Sequence, residues 1–387
     1  MLRNVSHEIY KCLRCGWCRE KVMENTQRVC PAREVLGFES SFARGRMLLA
    51  RGILEGEIEY NDKLIERMYT CLGCGACKTH CPLEVDTIEV FRTMREDAVQ
   101  KGIPLPKALV GINKAIEEHK NPFAKPQEFR EKMARELALP KEGEIFYFAG
   151  CYDTLRFTEN FTNTISILRK IGINPSYLGE NEWCCGVPQF WNGSTDLAHK
   201  LAQHNVVKLK KAGAKQVIMS CAGCYSVFGH FYKQILGDLP FEVLHISQFL
   251  ANKFNMGMLK LTNLEDKYEG NVTYHDPCHL GRHMGVYEEP RLLIKKMFPH
   301  IYREMPRNRE NSWCCGGGAV VFPYLTQYSL RIAEQRIDEA VKIGAKTLVT
   351  TCPSCMNVLK IPARKKKIEV KNLLELLADA IENSIGS

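Results

Sequence analysis

No stretch of the 387-residue chain approaches the roughly 18 consecutive apolar residues that a membrane-spanning helix needs, so none is expected. The opening residues, Met1-Leu2-Arg3-Asn4-Val5-Ser6-His7-Glu8, hold no apolar core, so no export signal is expected either. The chain is therefore expected to stay in the cytoplasm and to meet a membrane only through a partner. The basic run Arg364-Lys365-Lys366-Lys367 lacks the interleaved aromatics on which single-stranded nucleic acid stacks, and reads as a solvated face. Gly316-Gly317-Gly318 lacks the Lys-Ser/Thr that completes a P-loop, which leaves close approach of backbone to a bound group. From 103 to 143 there is no cysteine, and prolines at 104, 106, 122, 126 and 140 break the stretch. Helical apolar spacing over 107–120 and 128–139 makes it a partly helical connector.

What the chain does have is cysteine, eighteen in all. Disulfide scaffolds are short and exported, so clustered cysteines in this chain read as metal ligands. That reading also changes what the charge means. The formal charge of +9 invites nucleic acid, but metal-bound thiols are deprotonated outright. With every thiol ionised and four cluster cores returning about two charges each, the loaded chain falls to roughly −1. No nucleic-acid partner is expected.

Cys12, Cys15 and Cys18 are spaced C-x2-C-x2-C, and Cys30-Pro31 follows after 11 residues. Cys71, Cys74 and Cys77 repeat the triplet, with Cys81-Pro82 after three more. The second run is the bacterial ferredoxin pattern for [4Fe-4S] cubanes, in which a tight loop reaches three iron corners. In two-cluster ferredoxins the fourth cysteine of each run serves the other cluster. One cubane is thus expected on Cys12, Cys15, Cys18 and Cys81, the other on Cys71, Cys74, Cys77 and Cys30. Residues 40–64 become an insertion, with a helix around Met47, Leu48 and Leu49 packing on the cluster core.

Beyond residue 143 the chain repeats itself. Ile145–Cys151 pairs with Val272–Cys278, Glu182–Gly186 with Ser312–Gly316, and Gly213–Cys224 with Gly344–Cys355, at offsets of 127, 130 and 131 residues. A duplication of this length predicts one domain per unit. β-rich runs such as 216–219 and 347–349 alternate with helical ones at 161–171, 197–212 and 330–343, which predicts parallel sheets faced by helices. Cys151, Cys221, Cys278 and Cys352 each follow a strand, at the end of the sheet where ligands bind.

The cysteine pattern is C-x32-CC-x35-C-x2-C in the first unit and C-x35-CC-x36-C-x2-C in the second. It resembles the cysteine-rich (CCG) domain family. Together with the ferredoxin-like part, the whole chain resembles the D-type subunit family of heterodisulfide reductases. The resemblance implies an α+β multidomain fold. An α-helical two-[4Fe-4S] ferredoxin-like domain (1–102) and the connector (103–143) precede two α/β CCG domains with parallel sheets (144–265 and 266–387). It also implies a non-cubane [4Fe-4S] cluster on Cys151, Cys184, Cys185, Cys221 and Cys224, and another on Cys278, Cys314, Cys315, Cys352 and Cys355. Some relatives hold zinc in one such motif.

The implied activity is reversible reduction of the coenzyme M–coenzyme B heterodisulfide to two thiols. Electrons would come from a membrane cytochrome b or a soluble flavoprotein. The wider family includes electron-transfer subunits of FAD-dependent glycolate, lactate and glycerol-3-phosphate dehydrogenases, which typically lose part of the last C-x2-C. Both units are complete here, which favours the disulfide reductase over that alternative. A reductase of protein-borne disulfides is a third reading.

His275, Asp276 and His279 surround Cys278 and have no histidine counterparts in the first unit. His275 and His279 are candidate catalytic acids, against the plainer role of hydrogen bonding to cluster sulfur. Trp183 and Trp313 precede the double cysteines and are expected to shield the clusters. The implied substrate carries a sulfonate and a phosphate, for which Arg156 and Arg282 are candidate partners.

Overall fold

The structure, a computed structural model, describes residues 1–21 and 27–381. Residues 382–387, the end of the range expected for the second repeat, lie outside the described residues. The N-terminal part is helical apart from two short antiparallel strands, β1 (Glu20–Lys21) and β2 (Gln27–Arg28). Its main helices are Ala43–Glu55, Asp62–Tyr69 and Thr87–Gln100. Asn61 caps the second through Leu64 N–H, and Asp86 caps the third through Glu89 N–H, satisfying donors left free at a helix start. The first of these helices is the 40–64 insertion. Met47 and Ala50 turn inward while Leu48 stays exposed.

Each repeat then builds one three-stranded parallel sheet. In the first, β3 (Ile145–Phe148), β4 (Gln216–Met219) and β5 (Glu242–His245) lie in that order, with Phe148 opposite Met219 and Met219 opposite His245. In the second, β6 (Asn271–His275), β7 (Ala345–Thr350) and β8 (Glu369–Asn372) repeat it, with His275 opposite Thr350 and Thr350 opposite Asn372. Aromatic and β-branched residues in short runs favour strands buried on both faces. The inner ends of β3, β4, β6 and β7 are accordingly buried.

The two sheets do not bury separate cores. The helix Thr158–Lys170 packs on Leu373–Ala380 of the other repeat, and Ile246–Asn255 packs reciprocally on Glu288–Met297. Ile218 and Leu250 of the first repeat share one cluster with Tyr274, Leu293 and Leu377 of the second. Each such fully buried large apolar side chain contributes about 1.5–3 kcal/mol, so the repeats hold each other in a fixed relation. That relation points the carboxyl ends of both sheets toward one region. The connector runs along the first repeat through the helices Lys107–His119 and Glu128–Glu136. Arg364-Lys365-Lys366-Lys367 is solvent-exposed at the C-terminal end of the helix Pro353–Lys365, where positive charge suits the helix dipole.

Candidate metal centre and shared cleft

The ten cysteines of the repeats sit where chain direction changes at the sheet ends. Cys151 opens the helix after β3, and Cys278 follows β6. Cys221 and Cys352 are the residues before the first turns of the helices after β4 and β7, and those turns carry Cys224 and Cys355. Cys184-Cys185 and Cys314-Cys315 each follow a short 3-10 turn. All ten are buried free thiols.

Nine of the ten, all but Cys314, line one cavity of about 350 Å³. Cys224 and Cys185 are 3.2 Å apart at sulfur, and Cys221 lies beside Cys352 across the repeat boundary. The rest of the lining is mostly apolar and includes Phe123, Tyr152, Val187, Trp191 and Phe322. Arg156 is its one charged side chain among the described residues apart from the thiols and His279.

Cys314 lies behind the cleft wall, beside Cys74 of the N-terminal part. The loop carrying Cys74 is pinned between the repeats. Gly73 has a left-handed φ of 59°, and a Cβ there would lie 2.6 Å from the Trp191 ring. A Cβ on Gly318 would lie 2.3 Å from the Leu72 carbonyl oxygen, so the triple glycine serves close backbone packing. Gly316 and Gly317 also donate their N–H groups to Cys314 Sγ and Cys315 Sγ, each at 3.4 Å. The buried Arg95 guanidinium donates to the carbonyls of Met68, Cys71, Trp191 and Ala319, tying this loop to both repeats at once. Tyr69 Oη donates to the Asn192 carbonyl and Tyr328 Oη to that of Thr70.

The eight N-terminal cysteines line two small cavities. Cys12, Cys15, Cys18 and Cys81 face one, together with Met47 and Arg44 from the insertion helix. Cys30, Cys71 and Cys74 face the other, with Arg46. Cys77 borders both. Burial pushes the Cys18 thiol up to about 12 and the Cys30 thiol up to about 11. An anionic sulfur is costly in such places unless a cation meets it. Sets of four and five sulfurs around cavities, none joined in a disulfide, are the donor chemistry that iron–sulfur clusters require.

The other singled-out residues separate clearly. His279 borders the cleft, bonded through Nδ1 to Ser226 Oγ at 2.8 Å, and burial holds it below the usual histidine range. His275 is buried behind the wall, near Cys315 and Cys355. Asp276 is committed to Arg291, which grips both carboxylate oxygens at 2.6 and 2.9 Å. Arg282 donates to the carbonyls of Cys74, Glu310 and Ser312. Trp313 is buried, with Arg307 over its ring at 3.8 Å. Trp183 stacks on His204 away from the cleft, and the indole on the cleft is Trp191.

Sequence reasoning also missed Arg130. It comes from the connector, pairs with buried Glu182 and reaches Cys151 Sγ at 3.3 Å. Glu182 also accepts from Ala149 and Gly150 N–H, while burial raises its carboxyl to about 7. No spacing or motif marks Arg130, because its role arises only when the connector folds onto the first repeat.

Among the described residues no helix is long and apolar enough to cross a membrane. The cysteine-rich domain family matches residues 145–229 and 272–360, and the 4Fe-4S dicluster domain family matches residues 8–85. The chain is 32% identical to the D-type subunit of the dihydromethanophenazine:CoB–CoM heterodisulfide reductase of Methanosarcina barkeri, over 97% of this chain and 94% of that protein. It is 28% identical to the B-type subunit of the fumarate reductase (CoM/CoB) of Methanothermobacter marburgensis, over 81% of this chain and 61% of that one. It is 28% identical to the EtfAB:quinone oxidoreductase of Syntrophomonas wolfei, over 85% of this chain and 48% of that one. With the dicluster segment and both repeats matched along nearly its whole length, the chain belongs to the D-type subunit family of heterodisulfide reductases, which are iron–sulfur oxidoreductases.

Proposed function

We propose that this chain reduces a small anionic disulfide to two thiols, reversibly, and that the disulfide is the CoB–CoM heterodisulfide named for its relative. The balance is R–S–S–R′ + 2 e⁻ + 2 H⁺ → RSH + R′SH. A partner protein, a membrane cytochrome b or a soluble flavoprotein, supplies the electrons. The observation that carries the reading is the single cleft lined by nine cysteines drawn from both repeats.

In this reading four cysteine sets hold clusters. They are Cys12, Cys15, Cys18 and Cys81; Cys30, Cys71, Cys74 and Cys77; Cys151, Cys184, Cys185, Cys221 and Cys224; and Cys278, Cys314, Cys315, Cys352 and Cys355. The grouping of cysteines around the two N-terminal cavities supports the crossed pairing of the first two sets. Bound clusters supply electrons one at a time, which a two-electron bond cleavage between two such sites requires. The contact of Cys74 with Cys314 supports a sulfur path from the N-terminal part to the cleft. The apolar lining excludes bulk water, and Arg156 offers a guanidinium to an anionic substrate group. Arg282 lies outside the cleft lining and is held by three carbonyls, which leaves Arg156 as the better candidate.

The likeness to EtfAB:quinone oxidoreductase favours a second reading, an electron-transfer subunit whose flavin partner does the chemistry. Adding each coenzyme thiol to the oxidised, iron-loaded protein separates the two. A new paramagnetic signal at full iron content is expected if a thiol meets a cleft cluster. No new signal, with zinc in one repeat in place of iron, would support the electron-transfer subunit.

A further inference from the structure

The two repeats place different side chains at the last residue of their first strand. β3 ends in Phe148, whose ring packs on Phe228 at 4.8 Å. β6 ends in His275, which is 1% exposed. A ring nitrogen of His275 and the sulfurs of Cys315 and Cys355 all lie within 4.8 Å of one another. Two readings are open: the imidazole binds metal directly, or it donates a hydrogen bond to sulfur.

Arg336 decides between them. Its Nε–H donates to His275 Nδ1 at 3.1 Å. A nitrogen that accepts carries no proton, so in the neutral ring the proton sits on Nε2. Nε2 is buried and has no hydrogen-bond partner among the described residues, with the two sulfurs as near neighbours of the ring. A protonated Nε2 has no lone pair for a metal, so the ring is built to donate. Arg336 is itself held: Nη1 donates to the Arg307 carbonyl at 2.7 Å and to Glu339. The matching helix position in the first repeat is Asn205, which holds backbone of the Trp183-Cys184 loop and the Tyr232 hydroxyl. The first repeat thus lacks both the ring and its lock.

We infer that His275 is a positioning residue that donates Nε2–H toward the sulfurs of Cys315 and Cys355 and raises the reduction potential of the second repeat's cluster. The inference rests on the reading that both repeats hold clusters. Hydrogen bonds to cluster sulfurs are an established lever on potential, because they stabilise the more negative, reduced state. The second repeat is also the one in contact with Cys74. An electron that leaves the N-terminal part by way of Cys74 then meets this cluster first.

The test is a redox titration of the iron-loaded protein by paramagnetic resonance, with iron counted per chain. His275→Phe, which copies the first repeat, is expected to lower the potential of the second-repeat signal and leave the first-repeat signal in place. His275→Gln keeps an N–H donor and is expected to restore most of the shift. Arg336→Met frees the ring to place its proton on Nδ1, and is expected to lower the same potential at full iron content. Unchanged potentials in His275→Phe or Arg336→Met at full iron content would overturn the inference. So would a strong nitrogen coupling of the kind a directly bound imidazole gives. If the wild-type protein itself lacks iron in one repeat, it is the functional reading that fails, and the iron count reports this separately.

Discussion

The two repeats carry five sulfurs each at matching strand ends and turns, yet equivalent positions beside those sulfurs do different things. Tyr152 and His279 are counterparts, and both border the cleft. Arg156 and His283 are counterparts too, but Arg156 faces the cleft while His283 Nε2 lies 2.9 Å from the Gly73 carbonyl, to which it donates. Cys184 borders the cleft, whereas its counterpart Cys314 lies beneath the wall against Cys74. Cys151 has Arg130 from the connector, and Cys315 has His275 from its own repeat. The cysteine positions are fixed locally, by a strand end and a turn, so duplication preserves them. Several groups around the cysteines come from elsewhere in the chain, and among the described residues only the second repeat meets the N-terminal part at sulfur.

The sharpest way to break this comparison is to remove the two counterpart cysteines. Cys314→Ala is expected to cut donor-driven turnover at least about 100-fold and to leave first-repeat signals oxidised while the N-terminal ones reduce. In Cys184→Ala the second-repeat signal still appears on reduction. Rapid-freeze resonance spectroscopy reads both, and equal behaviour of the two variants would contradict a path through Cys314.

Next come the buried arginines. Arg130→Met strands Glu182, which has no other cation among the described residues, and is expected to cost about 3–5 kcal/mol. Arg336→Met strands Glu339 less completely, since Arg307 also pairs with it. Thermal unfolding of the loaded proteins should therefore drop further for Arg130→Met. At the cleft, Arg156→Ala is expected to raise the KM for an anionic disulfide about 10- to 100-fold, the worth of one charge-assisted hydrogen bond. Turnover at saturation should change little. His283→Ala should act on stability and leave KM alone.

The smallest effect separates the helix caps. His245 caps the helix Ile246–Asn255 in the first repeat, and its counterpart Asn372 caps Leu373–Ala380 in the second. Burial lowers His245 to about 4, against a smaller opposing pull from Cys352. The backbone of Ser220 and Thr351, which also pulls upward, Ser247 Oγ and the Tyr225 ring are its other close neighbours. Above pH about 6.5 both folded and unfolded states are neutral there. As pH falls below that, only the unfolded chain takes a proton, so stability is lost down to about pH 4, by on the order of 2–3 kcal/mol. His245→Asn should flatten the dependence of the melting temperature on pH across that window.

How much of this was readable beforehand follows the same division between local and distant causes. β3, β4, β6 and β7 stand out as aromatic and β-branched runs, and the helices at 158–170, 195–211 and 326–342 as periodic ones. The edge strands Glu242–His245 and Glu369–Asn372 do not. They carry charged residues and are half exposed, so their pattern is too mixed. The cysteines' places at strand ends were legible for the same local reason. Arg95, Arg130 and Arg336 were not, since each looks like any helical arginine until its helix packs against a loop far away in sequence. Trp191 drew no notice beside Trp183, because adjacency to the double cysteine carries no information about which indole turns into the cleft.

Disulfide cleavage by this chain requires two iron-loaded sites that open onto one cleft. Diffraction from the anaerobically purified protein, with anomalous data on either side of the iron edge, tests this directly. Iron density is expected in both repeats, on opposite walls of the cavity bordered by Arg156 and Trp191. Iron in one repeat only, or two sites separated by packed protein, would contradict it.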